Sequence, residues 1–321
     1  MPKPVPPSIL RALSLPTDPS KSTLSSSGGG SGFSETGSIR ATTSDDGEER
    51  KYFLKIASGE EAEEMFRGEY ESLNAIAGAV GGFCPRGLGW GKVDDDGGKR
   101  FFLATEFLEL GARGGRRGGG EVSLAEKLGK LHSTPAPVVD VGGGSESGGK
   151  GKRRMFGFPV PTFCGDVKQP NRYKETWAEF YAEERLMNVL KESEKRNGKD
   201  KGLRDLVEDT AGKVVPRLLG EGHLGFKGDG SGEGEPIVPV VVHGDLWSGN
   251  VGSGRIVGVE GDEGGGKVFD PSACYAHSEY ELGIMHMFGG FGARFFDEYH
   301  KIVPKTEPVE EYPDRVRLYE L

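Results

Sequence analysis

The chain has 321 residues, enough for one large domain or two lobes with a substantial core. Apolar residues make up 35 %, and the 54 glycines are more than twice the ordinary share of about 7 %, so a globular body interrupted by glycine-rich insertions is expected. A net charge of −9 excludes the basic face of a nucleic-acid binder. The longest apolar run, Val238–Val242, is far short of the roughly 20 residues of a membrane span, so no membrane partner is expected. The N-terminus shows no apolar signal segment, and Cys84, Cys164 and Cys274 form no metal or disulfide pattern. A cytoplasmic location follows as the expectation.

In chain order, the blocks Ser25–Gly32, Gly111–Gly120, Gly142–Gly151, Gly228–Gly234 and Gly261–Gly266 are expected to be surface loops. Ser38–Thr43 and Lys51–Ile56 alternate as strands about the turn Ser44-Asp45-Asp46-Gly47. From Glu60 to Val80 the residues Ala62, Met65, Phe66, Tyr70, Leu73, Ile76 and Ala77 share one helical face. Lys99–Phe107 is a further strand. Ser123-Leu124-Ala125-Glu126 is a capping box that opens a helix to about His132. Trp177–Lys191 and Leu203–Leu219 are predicted helices, Ile237–Val242 a strand, and Val257 with Val268–Asp270 a short hairpin split by an insertion. Helices complete the chain. The outline is α+β: a β-rich N-terminal lobe over residues 1–108 and a mainly helical C-terminal lobe over 109–321.

The sharpest chemical signal is His243-Gly244-Asp245-Leu246-Trp247-Ser248-Gly249-Asn250, directly after an apolar strand. An Asp and an Asn five positions apart can aim a carboxylate at a hydroxyl and an amide oxygen at a metal, the spacing used in phosphotransferases of the kinase type. Asp270, at a strand end, is suited to a magnesium ion that bridges ATP phosphates. Each acid alone has a plain alternative, an Asx-turn for Asp245 and a turn acid for Asp270. Their order along the chain favours the chemical reading.

Lys55 lies in the apolar strand Tyr52-Phe53-Leu54-Lys55-Ile56, where a snorkelling edge lysine is the alternative. At about 100° per residue, Glu69 falls inside the apolar face of the 60–80 helix. Glu60, Glu61, Glu64 and Glu71 point elsewhere, and Glu63 is marginal. A carboxylate on a buried stripe needs a counter-charge, and Lys55 supplies it. Gly30 and Gly32, ahead of Lys55, occupy the place of a phosphate-covering loop without matching GxGxxG. Glu106, Phe107 and Leu108 follow a strand and can offer a hinge carbonyl and amide to adenine, or be a plain linker. No GxSxG elbow and no HExxH pair are present, so serine hydrolysis and zinc chemistry are set aside.

At His243–Asn250 the sequence resembles the fructosamine/ketosamine-3-kinase family, a branch of the aminoglycoside-phosphotransferase and protein-kinase-like fold. The likeness continues through Phe269–Tyr275, His277–Leu282 and Met287–Phe291. It is also found at Phe53–Lys55, Met65–Glu69, Leu128–His132 and Phe156–Phe158. The resemblance implies a bilobal kinase using ATP and Mg²⁺ to phosphorylate the 3-hydroxyl of ketosamines, on glycated proteins or small molecules, and so to promote deglycation. It implies Asp245 as base, Asn250 and Asp270 as metal ligands, and Lys55 with Glu69 on the ATP phosphates. Trp247 and Trp177 are implied as substrate walls, with packing between loop and lobe the alternative for Trp247; His243, His277 and Glu279 are implied as structural braces. Some members carry a phosphate-loop cysteine that links dimers by a disulfide; none lies between Ser25 and Gly37, so no such dimer is expected. Members continue past the position of Leu321 into a further helix, so a difference in C-lobe packing is expected. An aminoglycoside- or choline-type kinase and a non-catalytic pseudokinase are the alternatives.

Overall fold

The computed structural model describes all residues except 1–2, 19, 27–33, 43–46, 95–98, 112–121, 142–150, 261 and 263. Gly30, Gly32 and the turn at 44–46 therefore lie outside the described residues, as do most of the 111–120 and 142–151 blocks. The chain divides into two units, Met1–Leu124 with Asn250–Pro271, and Ala125–Gly249 with Ser272–Leu321. A single cut after residue 108 does not describe this division. The segment carrying Asn250 and Asp270 returns to the first unit because its strand Val251–Ile256 pairs with Leu108–Leu110.

The first unit is built on a six-stranded antiparallel sheet in the order Lys3–Pro4, Ser22–Ser26, Glu35–Thr42, Glu49–Ser58, Arg100–Glu106, Gly87–Lys92. Alternation along Glu49–Ser58 sends Leu54 and Ile56 to one face, where they pack with Ile9, Leu10, Ile39, Phe102 and Ala104. On the other face Ala57 meets Ala62 and Phe66 of the helix Ala62–Ala79, with Phe101 and Leu103. Lys55 is two residues from Ala57 and shares that helix-facing side. The helix buries Phe66, Leu73, Ile76 and Ala77, as its periodicity predicts. A small sheet pairs Gly266–Val268 with Val251–Ile256, and the latter with Leu108–Leu110.

The second unit is mainly helical. Leu124–His132 follows the predicted capping box. The expected helix 177–191 begins as Trp177–Phe180, widens to a π-helical stretch at Tyr181–Leu186, and resumes over Met187–Asn197. The helix expected over 203–219 is likewise interrupted at Thr210–Val214. The strand Val240–Val242 pairs with Cys274–Ala276 and leads into His243. The helices Ser278–Phe288, Ala293–His300 and Tyr312–Tyr319 complete the unit.

Candidate functional site

In the first unit, Lys55 is buried and its Nζ donates to Glu69 Oε1 at 2.7 Å and to Asp270 Oδ1 at 2.8 Å. The helical arithmetic that singled out Glu69 is thus matched by geometry. Burial works against the Lys55 charge, but attraction from Glu69 and Asp270 outweighs it and raises the lysine's pKa above its ordinary value. For Glu69, burial is the larger effect, and with repulsion from Asp270 it lifts the carboxyl against the pull of Lys55. One ammonium is therefore shared by two acids.

These three side chains line a cleft with Thr36, Phe53, Leu73, Thr105, Leu108 and Phe269. The candidate hinge segment is shaped by strand register. Leu108 stands opposite Ile256, and Val257 N–H donates to Phe107 C=O at 2.9 Å. Neighbouring residues of an antiparallel strand alternate between bonded and non-bonded pairs. Leu108 therefore turns its N–H and C=O away from Val251–Ile256, at the residue that lines the cleft. Glu106 is fixed from the other side, its N–H donating to Arg86 C=O at 3.0 Å and its carboxylate accepting from Arg86 N–H at 2.8 Å.

Asn250 and Asp270 emerge at one end of the same hairpin. Val251 pairs with Val268, and Phe269 N–H donates to Asn250 C=O at 3.1 Å. Asp270 adopts φ +56°, a conformation that Asp tolerates better than most side chains, and its carboxylate remains half exposed in the cleft.

In the second unit the catalytic-loop candidate is held by its backbone. His243 is fully buried; its C=O accepts from Ser272 N–H at 2.9 Å, and its Nδ1 faces Asp245 N–H at 3.3 Å. Gly244 has φ +79°, and a Cβ there would fall 2.0 Å from Ser272 O, so glycine is required between His243 and Asp245. Glu281, buried on the helix Ser278–Phe288, accepts N–H bonds from His243 and, at 3.0 Å, from Gly244. His132 Nε2 lies 3.7 Å from that carboxylate and is a buried nitrogen with no hydrogen bond among the described residues. Its Nδ1 meets Tyr299 OH at 2.8 Å. Glu281 and His132 lie in the segments His277–Leu282 and Leu128–His132 of the family likeness, but neither was given a role there. The signal for Glu281 was its position four residues before the buried Met285, on the apolar side of its helix.

One expectation is corrected here. Trp177 is no substrate wall: it is 2 % exposed, its Nε1 donates to Tyr319 OH at 2.8 Å, and its ring packs among Phe156, Phe180 and Tyr181. His277 and Glu279, the expected structural braces, make their bonds to the C-terminal segment. His277 bonds Tyr319 OH and Thr306 Oγ1 at 2.9 and 2.8 Å, and Glu279 bonds Arg315 Nε at 2.7 Å and Thr306 N–H at 2.8 Å. Both secure the chain from Thr306 to Tyr319, while the brace beneath the candidate catalytic loop is Glu281. Trp247, by contrast, is 38 % exposed, with its ring folded over Gly249 and beside Phe288 at 5.7 Å.

Comparison with known proteins bears on this constellation. The fructosamine kinase family model matches residues 30–321. The chain is 32 % identical over 298 residues to the ketosamine-3-kinase of Mus musculus, covering 90 % of this chain and 86 % of that protein. It is 29 % identical over 268 residues to the chloroplastic protein-ribulosamine 3-kinase of Oryza sativa subsp. indica, covering 84 % and 65 %. A crystal structure from Thermobifida fusca, assigned as a fructosamine-3-kinase, superposes with a TM-score of 0.63 at 24 % identity, over 92 % of this chain and 83 % of that one. That likeness shows the fold alone, with a β-rich N-terminal part and a helical C-terminal part. With the family model matching residues 30–321 and the mouse relative aligned over most of its length, the chain belongs to the fructosamine kinase family.

Proposed function

We propose that this protein is an ATP-dependent kinase that phosphorylates the 3-hydroxyl of ketosamines, ribulosamine or fructosamine adducts on protein lysines or free amines. The 3-phosphate then breaks down and releases the amine, so the activity serves deglycation. The observation that carries this reading is Lys55 held between Glu69 and Asp270 on a cleft wall. A cation fixed by two acids on the wall of a hydrophobic cleft suits the α- and β-phosphates of a nucleotide whose base lies near Leu73, Thr105 and Leu108.

Each residue's part follows from chemistry. Asp245 takes the proton of the acceptor hydroxyl onto its carboxylate, and the Glu281-anchored backbone fixes where that carboxylate stands. Lys55, kept charged by its neighbours, neutralises phosphate oxygens as charge shifts to the leaving group. Gly30 and Gly32 are assigned to cover the phosphates, and Glu106, Phe107 and Leu108 to receive the adenine edge. Asn250 and Asp270 offer an amide and a carboxylate oxygen at one hairpin end, the hard donors that Mg²⁺ accepts beside phosphate oxygens. Bound there, the ion would screen the phosphate charge. Trp247 offers an exposed flat face to the sugar. No helix among the described residues is long and apolar enough to cross a membrane, and a cytoplasmic site of action is part of the proposal.

A coupled assay of ADP release with ribulose-lysine, fructose-lysine and kanamycin tests the reading. Turnover with a ketosamine is expected, and Asp245→Asn should lower kcat by roughly 10²–10⁴ while ATP still binds. Preference for kanamycin would place the protein with aminoglycoside kinases. ATP binding without turnover on any acceptor would make it a binding module.

A further inference from the structure

The hairpin of Thr162–Cys164 and Val167–Gln169 has no part in the chemistry above, yet it is attached to the catalytic loop at both ends. Its register pairs Thr162 with Gln169 at the root and Cys164 with Val167 at the tip, with Gly165 turning at φ +60°. The root is buried and fixed. Asn171 Nδ2 donates to Thr162 Oγ1 at 2.8 Å, and Ser272 Oγ bonds Gln169 Oε1 at 3.4 Å. Ser272 in turn donates its N–H to His243 C=O at 2.9 Å, so root and loop share one anchor. At the tip, Cys164 Sγ lies 3.7 Å from Asp245 Oδ1, within reach of a sulfur donor.

The chemistry of this thiol sets its role. Burial, and then the Asp245 charge, push it up to about 12, so at neutral pH it keeps its proton and donates rather than attacks. An aspartate carboxylate turns over a broad, roughly two-fold torsional well. Small errors in the placement of a base are expensive in rate. A donor on a rigid hairpin narrows that well.

We propose that Cys164 is a positioning residue for phosphoryl transfer: its S–H donates to Asp245 Oδ1 and holds the carboxylate in the orientation that meets the acceptor hydroxyl. The inference rests on Asp245 being the base. Three substitutions separate the hydrogen bond from packing. Cys164→Ser keeps a donor, Cys164→Val fills the space without one, and Cys164→Ala has neither. With the ketosamine and ATP as substrates, Ala and Val should each lower kcat by about three- to tenfold, as expected for one modest hydrogen bond. KM for ATP should stay within about twofold. Ser should keep more than about half of the wild-type kcat. If Cys164→Ala melts early, Cys164→Val carries the test. Wild-type kcat in Cys164→Val, or equal losses in Ser and Val, would overturn the role. Asp245→Asn assayed alongside distinguishes the two failures: if it keeps its kcat, the base assignment falls and this proposal with it. If it collapses beside a fully active Cys164→Val, only the thiol's role is lost.

Discussion

Glu281 bonds the backbone of Gly244, its Oε1 accepting the Gly244 N–H at 3.0 Å, although the two residues are 37 positions apart. The same carboxylate takes the His243 N–H, so two consecutive peptide groups ahead of Asp245 are fixed by one buried side chain. A carboxylate that accepts two N–H bonds is a stronger anchor than a neutral acceptor.

Replacing Glu281 by Ala takes the acceptor from the buried His243 N–H and the half-buried Gly244 N–H, at a cost of about 1–3 kcal/mol for the buried one and less for the other. The melting temperature should fall by several degrees. Because the orphaned peptides adjoin Asp245, kcat should drop at least tenfold while KM for ATP changes far less. Thermal unfolding and steady-state kinetics on Glu281→Ala check both effects. An enzyme with wild-type kcat would show that the loop holds its shape without this anchor.

The Lys55–Glu69 pair should behave as one unit. Lys55→Met removes the cation, and Glu69→Gln removes the acid that orients it at 2.7 Å. Each should weaken productive ATP use. The double variant should be little worse than the poorer single, since contacting residues are coupled rather than additive. Losses that multiply would mean that Asp270, the second partner at 2.8 Å, suffices to hold Lys55.

How far the sequence foretold this arrangement depends on the range of the interaction. Glu69 was legible because helical periodicity is local: a carboxylate inside an apolar stripe demands a partner, and the neighbouring strand offered Lys55. Glu281 was accessible by the same reasoning, but its partners are backbone N–H groups, which no motif displays. Trp177 and Trp247 look alike in sequence. Partners distant in the chain, such as Phe156 and Tyr319, the latter 142 residues further on, make the first a core residue. The π-helical stretch at Tyr181–Leu186 was hidden because a single widened turn barely disturbs the apolar pattern.

His277 gives stability a pH dependence. Burial pulls its pKa down from 6.5 to about 4, against the pull of Glu279. The unfolded chain therefore binds a proton that the folded chain resists. The contribution of this neutral imidazole is complete above pH 6.5 and is lost as pH falls toward 4, to a limit of about 3 kcal/mol. Between pH 7.5 and 4.5 the melting temperature of the wild type should fall more steeply than that of His277→Gln. Parallel curves would place the acid sensitivity elsewhere.

The two tryptophans should separate binding from folding. Trp247 is 38 % exposed, its indole rests on Gly249, and its ring neighbour is Phe288, itself 59 % exposed. Little core packing is lost when it is cut back, so Trp247→Ala should melt close to the wild type. A sugar lying on the indole gains from contact between its C–H face and the ring. An aromatic pair gains about 0.5–1.5 kcal/mol beyond area burial, and a sugar contact of similar size gives a several-fold rise in ketosamine KM. KM for ATP should change much less. Trp177→Ala should do the opposite. It empties a site surrounded by Phe156, Phe180 and Tyr181 and takes one of two hydrogen bonds from the Tyr319 hydroxyl, leaving the one with His277. A loss of about 3–5 kcal/mol is expected for Trp→Ala in a core, with both KM values near wild type in whatever fraction stays folded. Melting temperature and both KM values on the two purified variants decide the matter. A well-folded Trp247→Ala with unchanged ketosamine KM would end the wall assignment, and the kinase reading would still stand on Lys55, Asp245, Asn250 and Asp270.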